Sequence, residues 1–175
     1  QSCDEDKTLC RQVNVDGTKN LLKALWTLHE RPLAMEDAPG VRLLPWFLFA
    51  SSSVDVHGDV HDQKDVVTER SMLRPRNFYG QTKVEAEKAI EDWASRTGFN
   101  AITLRFASVY GSCQDHSSRL IPKILSKLSK NEHFHLHEDM SRTLSLLHVQ
   151  DAVQALLLAT KYAFWKSSFW AIYNK

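Results

Sequence analysis

The segment Trp46 to Ser52 constrains the fold more than any other part of the chain, because its apolar residues follow one another without polar alternation. Such a run is typical of a strand that is covered on both faces, as the strands of a parallel sheet are. Ala101 to Phe106 is a second run of this kind, and an amphipathic helical pattern lies between the two. The order of strand, helix and strand predicts an α/β fold with a parallel sheet.

Two amphipathic helices are predicted from apolar residues at helical spacing. The first spans Val13 to about Glu30 and has an apolar stripe of Val13, Leu21, Leu22, Leu25 and Leu28, with Gly17 allowing close approach to a neighbour. The second spans Tyr79 to Thr97 and stops at Gly98. In this second helix the pattern places Ala86, Ala89, Ile90 and Trp93 inward, and Glu85, Glu87, Lys88, Glu91 and Asp92 toward water.

The pattern is different after the second sheet strand. It predicts a helix around Leu120 to Leu128, short strands at His133 to His137 and Leu144 to Val149, and a last helix that begins near Asp151. The polar stretch from Val54 to Phe78 is predicted to be a loop at the rim of a site.

Charge and composition limit the classes of function. The 22 basic and 21 acidic residues give a net charge of +1, so no global field favours nucleic acid or an acidic membrane. No apolar run reaches the length of a membrane span. Cys3, Cys10 and Cys113 are too few and too scattered for a disulfide framework, which favours a reducing compartment, taken to be the cytoplasm.

Tyr79, Lys83 and Ser53 form the pattern with the clearest chemistry. Tyr79 and Lys83 are four residues apart and share one helix face, and Ser53 follows the end of the first strand. An ammonium near a phenol stabilises the phenolate, so Lys83 is expected to lower the pKa of Tyr79 toward that of a general acid or base. Ser53 is expected to hold the substrate oxygen.

Two other patterns have weaker interpretations. Tyr162 and Lys166 have the same spacing as Tyr79 and Lys83, but no serine-ended strand precedes them, so we interpret them as packing residues at a helix end. His133, His135 and His137 alternate as zinc ligands on a strand do, yet an exposed polar face explains the alternation without a metal.

Five segments, in order, resemble the extended short-chain dehydrogenase/reductase superfamily, and in particular its NAD-dependent epimerase/dehydratase family. They are Asn14 to Leu22, Ser51 to Gly58 with His57 in place of the usual tyrosine, Tyr79 to Lys83, Leu104 to Gly111, and His148 to Ala152. The resemblance implies a Rossmann-like doubly wound parallel sheet with the start of a small substrate lobe.

The resemblance also implies roles for residues. Tyr79 is the general acid or base, Lys83 binds the nicotinamide ribose, and Ser53 orients the reacting group. Asn14, Ser51 and Phe106 line the nicotinamide side of an NAD or NADP site together with Tyr79 and Lys83, although each of the first three is equally typical of capping, turn or packing positions. His148 is expected to be a hydrogen-bonded structural histidine.

The chain departs from the family pattern in two ways. It has no Gly-x-x-Gly-x-x-Gly segment and no strand before Val13, so by the family pattern the first four strands are absent. Residues 1–118 then correspond to the later part of the dinucleotide-binding domain and residues 119–175 to a partial substrate lobe. In the substrate region, Ser108 replaces a usual asparagine, and Arg142 lies two positions before the place of a usual phosphate-binding arginine, now Leu144. Arg142 either reaches the same phosphate from a longer loop or is a solvated surface residue.

The sequence therefore predicts an NAD(P)-dependent epimerase, dehydratase or oxidoreductase that acts on a secondary alcohol or ketone of a nucleotide sugar. Ser53, Ser108 and Arg142 are its candidate substrate-binding residues, and no metal, nucleic acid or membrane is expected. The complete protein is expected to form a homodimer. Two alternatives remain: a noncatalytic protein that binds or senses a dinucleotide, and an inactive truncated fragment.

Overall fold

The structure, a computed structural model, describes residues 3–30, 46–58, 66–111, 119–135, 144–165 and 171–174. Three helices precede or follow the first strand: α1 (Lys7–Arg11), α2 (Gly17–Glu30) and, after β1 (Trp46–Ser52), α3 (Ser53–His57). A π-helical segment, Gln12–Asp16, joins α1 to α2. The remaining elements are α4 (Phe78–Thr97), β2 (Asn100–Phe106), β3 (Ser108–Tyr110), α5 (Leu120–Ser129), β4 (Leu146–His148), α6 (Val149–Trp165) and β5 (Ala171–Asn174).

The main sheet is parallel, as the sequence predicts, and has the strand order β1-β2-β5. Trp46 lies opposite Asn100 and Ser52 opposite Phe106, so β1 and β2 end at the same edge. β5 pairs with β2 from Ala171 opposite Ile102. In a parallel sheet the carboxyl ends of neighbouring strands lie at the same edge, so the chain segments that follow β1 and β2 meet there. A second, two-stranded sheet pairs β3 with β4.

Helices cover both faces of the main sheet, which explains why its strands are apolar without alternation. One core cluster combines residues of α2, α4 and the sheet and includes Leu22, Ile90, Trp93, Phe99 and Ala101, with Phe47 and Phe49 packed against it. The other cluster joins Ile102, Leu104 and Ala159, with Trp46 and Leu48 packed against it. Neighbouring residues of β1 therefore belong to opposite cores, and the doubly wound α/β class is confirmed.

The apolar stripe predicted for the first helix is confirmed at Leu22 and Leu25, which pack in the core, and wrong at Val13, Leu21 and Leu28. Helical conformation already begins at Lys7, and Val13, Leu21 and Leu28 are 62%, 60% and 56% exposed. The π-helical segment has more residues per turn than an α-helix, so it rotates the buried face between α1 and α2. The buried residues there are Cys10, Val15, Thr18 and Leu22. Gly17 makes no close approach either, since a Cβ at this position would meet only the Gln12 carbonyl oxygen at 3.6 Å.

The helix predicted from Tyr79 to Thr97 is confirmed as α4. Asn77 caps its amino end, where its Oδ1 accepts a 2.7 Å hydrogen bond from the Gly80 amide. Gly98 ends it in the left-handed conformation, with a φ of 72°. Ala86, Ile90 and Trp93 are buried, as their spacing predicts.

Other expectations differ from the structure. The loop predicted after Ser53 contains α3, and His133 to His135 have no strand partner within the described residues. His137 and Arg142 lie outside the described residues. In α5 no side chain is buried, and β5 lies in the main sheet. The domain boundary between residues 118 and 119 stays a prediction. In the part of the chain that the structure describes, every helix is too short or too polar to cross a membrane.

Candidate functional site at the end of the first strand

The carboxyl end of β1 passes directly into α3 through three serines. Ser52 caps α3: its Oγ accepts from the Asp55 amide at 3.3 Å and donates to Asp55 Oδ2 at 2.8 Å. Ser53 is the first residue of the helix and is half-buried. The turn at the strand end is therefore held by Ser52, which leaves Ser53 in the position where the sequence predicts a substrate contact.

The first turn of α4, which carries Tyr79, lies against α3. Asn77 Nδ2 donates to Asp55 Oδ1 at 2.9 Å, while the other oxygen of that carboxylate holds Ser52. A Cβ on Gly80 would overlap the Asp55 carbonyl oxygen and lie 2.9 Å from the carbonyl carbon. Only glycine permits this approach, so Asp55, Asn77 and Gly80 fix Tyr79 close to the helix that starts at Ser53.

Lys83 lies one turn further along α4 and reaches back to β1. Its Nζ donates to the Ala50 carbonyl oxygen at 3.0 Å and lies 4.8 Å from the centroid of the Phe49 ring. The same nitrogen is 5.5 Å from the centroid of the Tyr79 ring. The structure thus brings Ser53, Tyr79 and Lys83 to one edge of the sheet, as the sequence predicts.

The electrostatic expectation for this pair is wrong in sign. Burial, reinforced by the negative charge of Asp55, raises the pKa of Tyr79 above its ordinary value of 10.0, although Arg119 opposes the rise. Burial also lowers the pKa of Lys83, and Glu87 opposes that change. Removal from water penalises phenolate and ammonium alike, and at Tyr79 this penalty together with the charge of Asp55 exceeds the opposing effect of Arg119.

Asn14 and Cys10 lie beside α4, on the side of Thr82. Thr82 is fully buried; its Oγ1 donates to the Tyr79 carbonyl oxygen at 2.7 Å and accepts from Asn14 Nδ2 at 3.0 Å. Asn14 Nδ2 also lies 3.5 Å from the sulfur of Cys10. Cys10 forms a disulfide with Cys3, so the expectation that the cysteines are reduced is wrong for this pair. The two cysteines are seven positions apart in the sequence, and a single local link of this kind has no sequence signature.

Ser51 and Phe106, at the ends of β1 and β2, are suitable for a dinucleotide. The Ser51 side chain is buried, and its hydroxyl has no hydrogen-bond partner among the described residues. A buried hydroxyl without a partner costs about 1–3 kcal/mol, which a polar ligand group would recover. Phe106 is half-buried against Ile102 and Leu104. Ser51 and Phe106 stay candidates for the nicotinamide end of a dinucleotide, whereas the widely spaced glycines supply no pyrophosphate loop.

The predicted substrate residues are only partly described. Ser108 begins β3, its side chain is exposed, and its amide donates to the Ser145 carbonyl oxygen at 3.3 Å. Arg142 lies outside the described residues. His148 Nδ1 accepts from the Gln150 amide at 3.3 Å, which agrees with the structural role expected for it. The described residues contain no group of three or more histidine, cysteine or acidic residues that could hold a metal ion.

Sequence reasoning missed several residues around the site. Glu87, expected to face water, is only 4% exposed and pairs with Arg105, which is 2% exposed. The lone charge within the apolar run of β2 was the available signal, because a buried arginine needs an anionic partner. Asp55 and Asn77 gave no signal beyond ordinary cap residues. Arg119, whose charge acts on Tyr79, gave none at all.

Comparison with known proteins was made at the level of families, sequences and structures. The model of the NAD dependent epimerase/dehydratase family matches residues 1–167. The low-salt glycan biosynthesis protein Agl12 of Haloferax volcanii is 29% identical over 143 residues, which are 82% of this chain and 40% of that protein. The dTDP-glucose 4,6-dehydratase of Haemophilus influenzae is 28% identical over 152 residues, 84% of this chain and 41% of the enzyme.

One solved structure is also similar to this chain over part of its own length. MoeE5 in complex with UDP-glucose and NAD superposes with a TM-score of 0.69 and 26% identity, over 93% of this chain and 48% of that one. The chain thus spans about two fifths of the length of the two curated relatives.

Proposed function

Because the chain belongs to the NAD-dependent epimerase/dehydratase family, we propose that the protein epimerises or dehydrates a nucleotide sugar by transient oxidation of a secondary alcohol, with Tyr79 as the proton-transferring residue. The observation that carries the proposal is the close packing of the first turn of α4, which carries Tyr79, on α3 at the end of β1. Asn77 and Gly80 hold its helical turn against α3, which begins at Ser53.

Tyr79 gives or takes the proton of the sugar oxygen. Its raised pKa keeps the phenol protonated at neutral pH, so it would donate a hydrogen bond to that oxygen. Proton removal requires positive charge nearby, and Arg119 supplies some of it. Ser53 is the second group for the same oxygen. Lys83 is held in place by its bond to Ala50, which keeps its Nζ beside the tyrosine ring.

The cofactor in this proposal is NAD or NADP, which accepts and returns a hydride when bound. Ser51, Phe106, Tyr79 and Lys83 would hold its nicotinamide end, and the unpartnered hydroxyl of Ser51 supports this. Asn14 would contribute through Thr82, with which its amide bonds. MoeE5, which superposes on this chain, has NAD in its complex.

The substrate class rests on the relatives. The Haemophilus influenzae relative is named for dTDP-glucose, and MoeE5 is in complex with UDP-glucose. Ser53, Ser108 and Arg142 remain the candidate substrate-binding residues. A homodimer is a further part of the proposal, whereas a cytoplasmic location is left out of it because the Cys3–Cys10 disulfide does not fit a reducing compartment. The exposed apolar side chains Val13 and Leu21, on the helical segment beside α4, would suit burial between two copies.

Tyr79→Phe in the complete protein tests the proposal. Product formation from UDP-glucose and dTDP-glucose is measured by chromatography in the presence of NAD. We expect activity to fall about 10²- to 10⁴-fold, since general acid–base catalysis contributes that much, with NAD binding preserved. Tyr162→Phe is the matched control, because Tyr162 packs in the second core cluster on the opposite face of the sheet.

Two results would count against the enzyme. Full activity in Tyr79→Phe would remove the tyrosine from the mechanism. If the complete protein binds NAD and a nucleotide sugar but turns over neither substrate, the noncatalytic binding protein is the better description.

A further inference from the structure

The proposed proton transfer leaves one buried ionic group unused, the pair formed by Arg105 of β2 and Glu87 of α4. Arg105 Nη2 donates to Glu87 Oε2 at 2.6 Å, and its Nε lies 3.2 Å from both carboxylate oxygens. Both side chains are almost completely buried. Since burying two charges is expensive, a pair of apolar residues would be at least as stable here. The pair therefore calls for a role other than stability.

The third donor of Arg105 points to that role. Nη1 donates to the Glu69 carbonyl oxygen at 3.3 Å and lies 3.5 Å from His57 Nε2. On the other side of the ring, His57 Nδ1 lies 3.4 Å from the Met72 carbonyl oxygen. These contacts fit a neutral His57 with its proton on Nδ1, which accepts from Arg105 and donates to Met72. One guanidinium thus connects α4, α3 and the segment from residue 66 to residue 77.

This entrance segment, residues 66–77, leads directly into the catalytic helix. Arg74 donates its amide to the Val56 carbonyl oxygen at 2.8 Å, and Arg76 donates to that of Asp55 at 3.1 Å. Asn77, the next residue, caps α4. At the other end of the network, Glu87 lies one helical turn beyond Lys83. The network therefore contacts the catalytic helix both before Tyr79 and after Lys83.

We propose that Arg105 and Glu87 are positioning residues, which hold the entrance segment against α3 and set α4 on β2 so that Tyr79 and Lys83 face the end of β1. His57, which stands where the family usually has a tyrosine, links Arg105 to Met72. The influence of Glu87 on the pKa of Lys83 agrees with this closeness. The part of the proposal that concerns catalysis rests on the proposed function. The part that concerns the segment does not.

The test replaces the pair by apolar residues of similar length, Glu87→Met with Arg105→Met. Amide hydrogen exchange is measured at Arg74 and Arg76, together with the midpoint of urea unfolding. We expect exchange at both amides to rise about tenfold or more while the midpoint stays the same or increases. Arg11→Met with Glu85→Met is the matched control, since that ion pair also involves α4 but is exposed. It should leave both amides unchanged.

Arg105→Lys is the second variant, because an ammonium keeps the charge beside Glu87 but cannot bond Glu87 and Glu69 with one planar fork. It should also speed exchange at Arg74 and Arg76. Unchanged exchange in a folded variant would overturn the proposal. Loss of the fold in both variants would also overturn it, because the pair would then stabilise the whole fold. In the active protein, we expect each variant to lower kcat by a factor at least ten times larger than the factor by which it changes KM. Amide exchange can be measured without turnover. If exchange is faster in the variants but the wild type shows no activity, only the proposed function is refuted.

Discussion

Gly80→Ala should destabilise the protein, although alanine is the better helix former. Gly80 lies in the first turn of α4, and an added Cβ would overlap the Asp55 carbonyl oxygen and lie 2.9 Å from its carbon. The overlapping atoms of Asp55 belong to the backbone, so no side chain can rotate to relieve the overlap. Overpacking of this kind costs about 1–3 kcal/mol, while replacing glycine within a helix gains about 0.5–1 kcal/mol. The net expectation is a loss of about 1–2 kcal/mol.

Gly17→Ala is the matched control and should have the opposite sign. Gly17 is helical, with φ −57° and ψ −46°, and its nearest non-local atom would be 3.6 Å from the new Cβ. Without an overlap only the helix gain remains, about 0.5–1 kcal/mol. The two variants should therefore differ by about 2–3 kcal/mol.

Urea unfolding followed by circular dichroism measures both variants. With a slope of about 1–3 kcal/mol per molar urea, the two midpoints should lie roughly 1–2 M apart, with wild type between them. Gly80→Ala should also reduce catalysis, because the displaced turn carries Tyr79. A Gly80→Ala protein as stable as Gly17→Ala would refute the close packing of α4 on α3 and, with it, the basis for placing Tyr79 at Ser53.

Three further predictions concern the same helix. Asn77→Ala should lower the free energy of unfolding by about 1–2 kcal/mol in urea, because Gly80 and Asp55 each lose a partner; an unchanged value would contradict the cap. The pKa of Tyr79 is raised in the folded protein, so the contribution of this group to stability is complete below pH 10.0 and declines as the pH rises through the folded pKa. Tyr79→Phe should therefore gain stability relative to wild type above pH 10.0. Parallel plots of unfolding free energy against pH for the two proteins would contradict the shift. Ile90→Ala, in the core, should lose about 2–5 kcal/mol in thermal or urea unfolding, whereas Leu28→Ala, at a side chain that is 56% exposed, should stay within about 0.5 kcal/mol; similar losses would contradict the buried face of the helices.

Much of the fold was predictable because its signals are local. The apolar runs at Trp46 to Ser52 and Ala101 to Phe106 identify strands that are covered on both faces, whatever covers them. Asn77 and Gly98 bound α4 through their own capping chemistry, so its length was predictable nearly to the residue. The motif of Ser53, Tyr79 and Lys83 was predictable in the same way, since helix periodicity and the end of a strand place all three at one edge of the sheet.

The errors arose where the outcome depends on a distant partner. The spacing of Leu21, Leu22 and Leu28 is that of a regular helix, but α4 and β1 cover the face that carries Leu22 and leave Leu21 and Leu28 exposed. Glu87 reads as a surface residue until Arg105, on a neighbouring strand, is known to face it.

The sequence by itself determined the class of fold, the order of its elements and the candidate side chains Ser53, Tyr79 and Lys83, because backbone periodicity and side-chain chemistry are properties of each segment. Only the tertiary structure decided the direction of the Tyr79 and Lys83 pKa shifts, the bond from Lys83 to Ala50 and the network around Arg105. Desolvation and charge pairing depend on atoms that come from other segments, and no local pattern records which segments will meet.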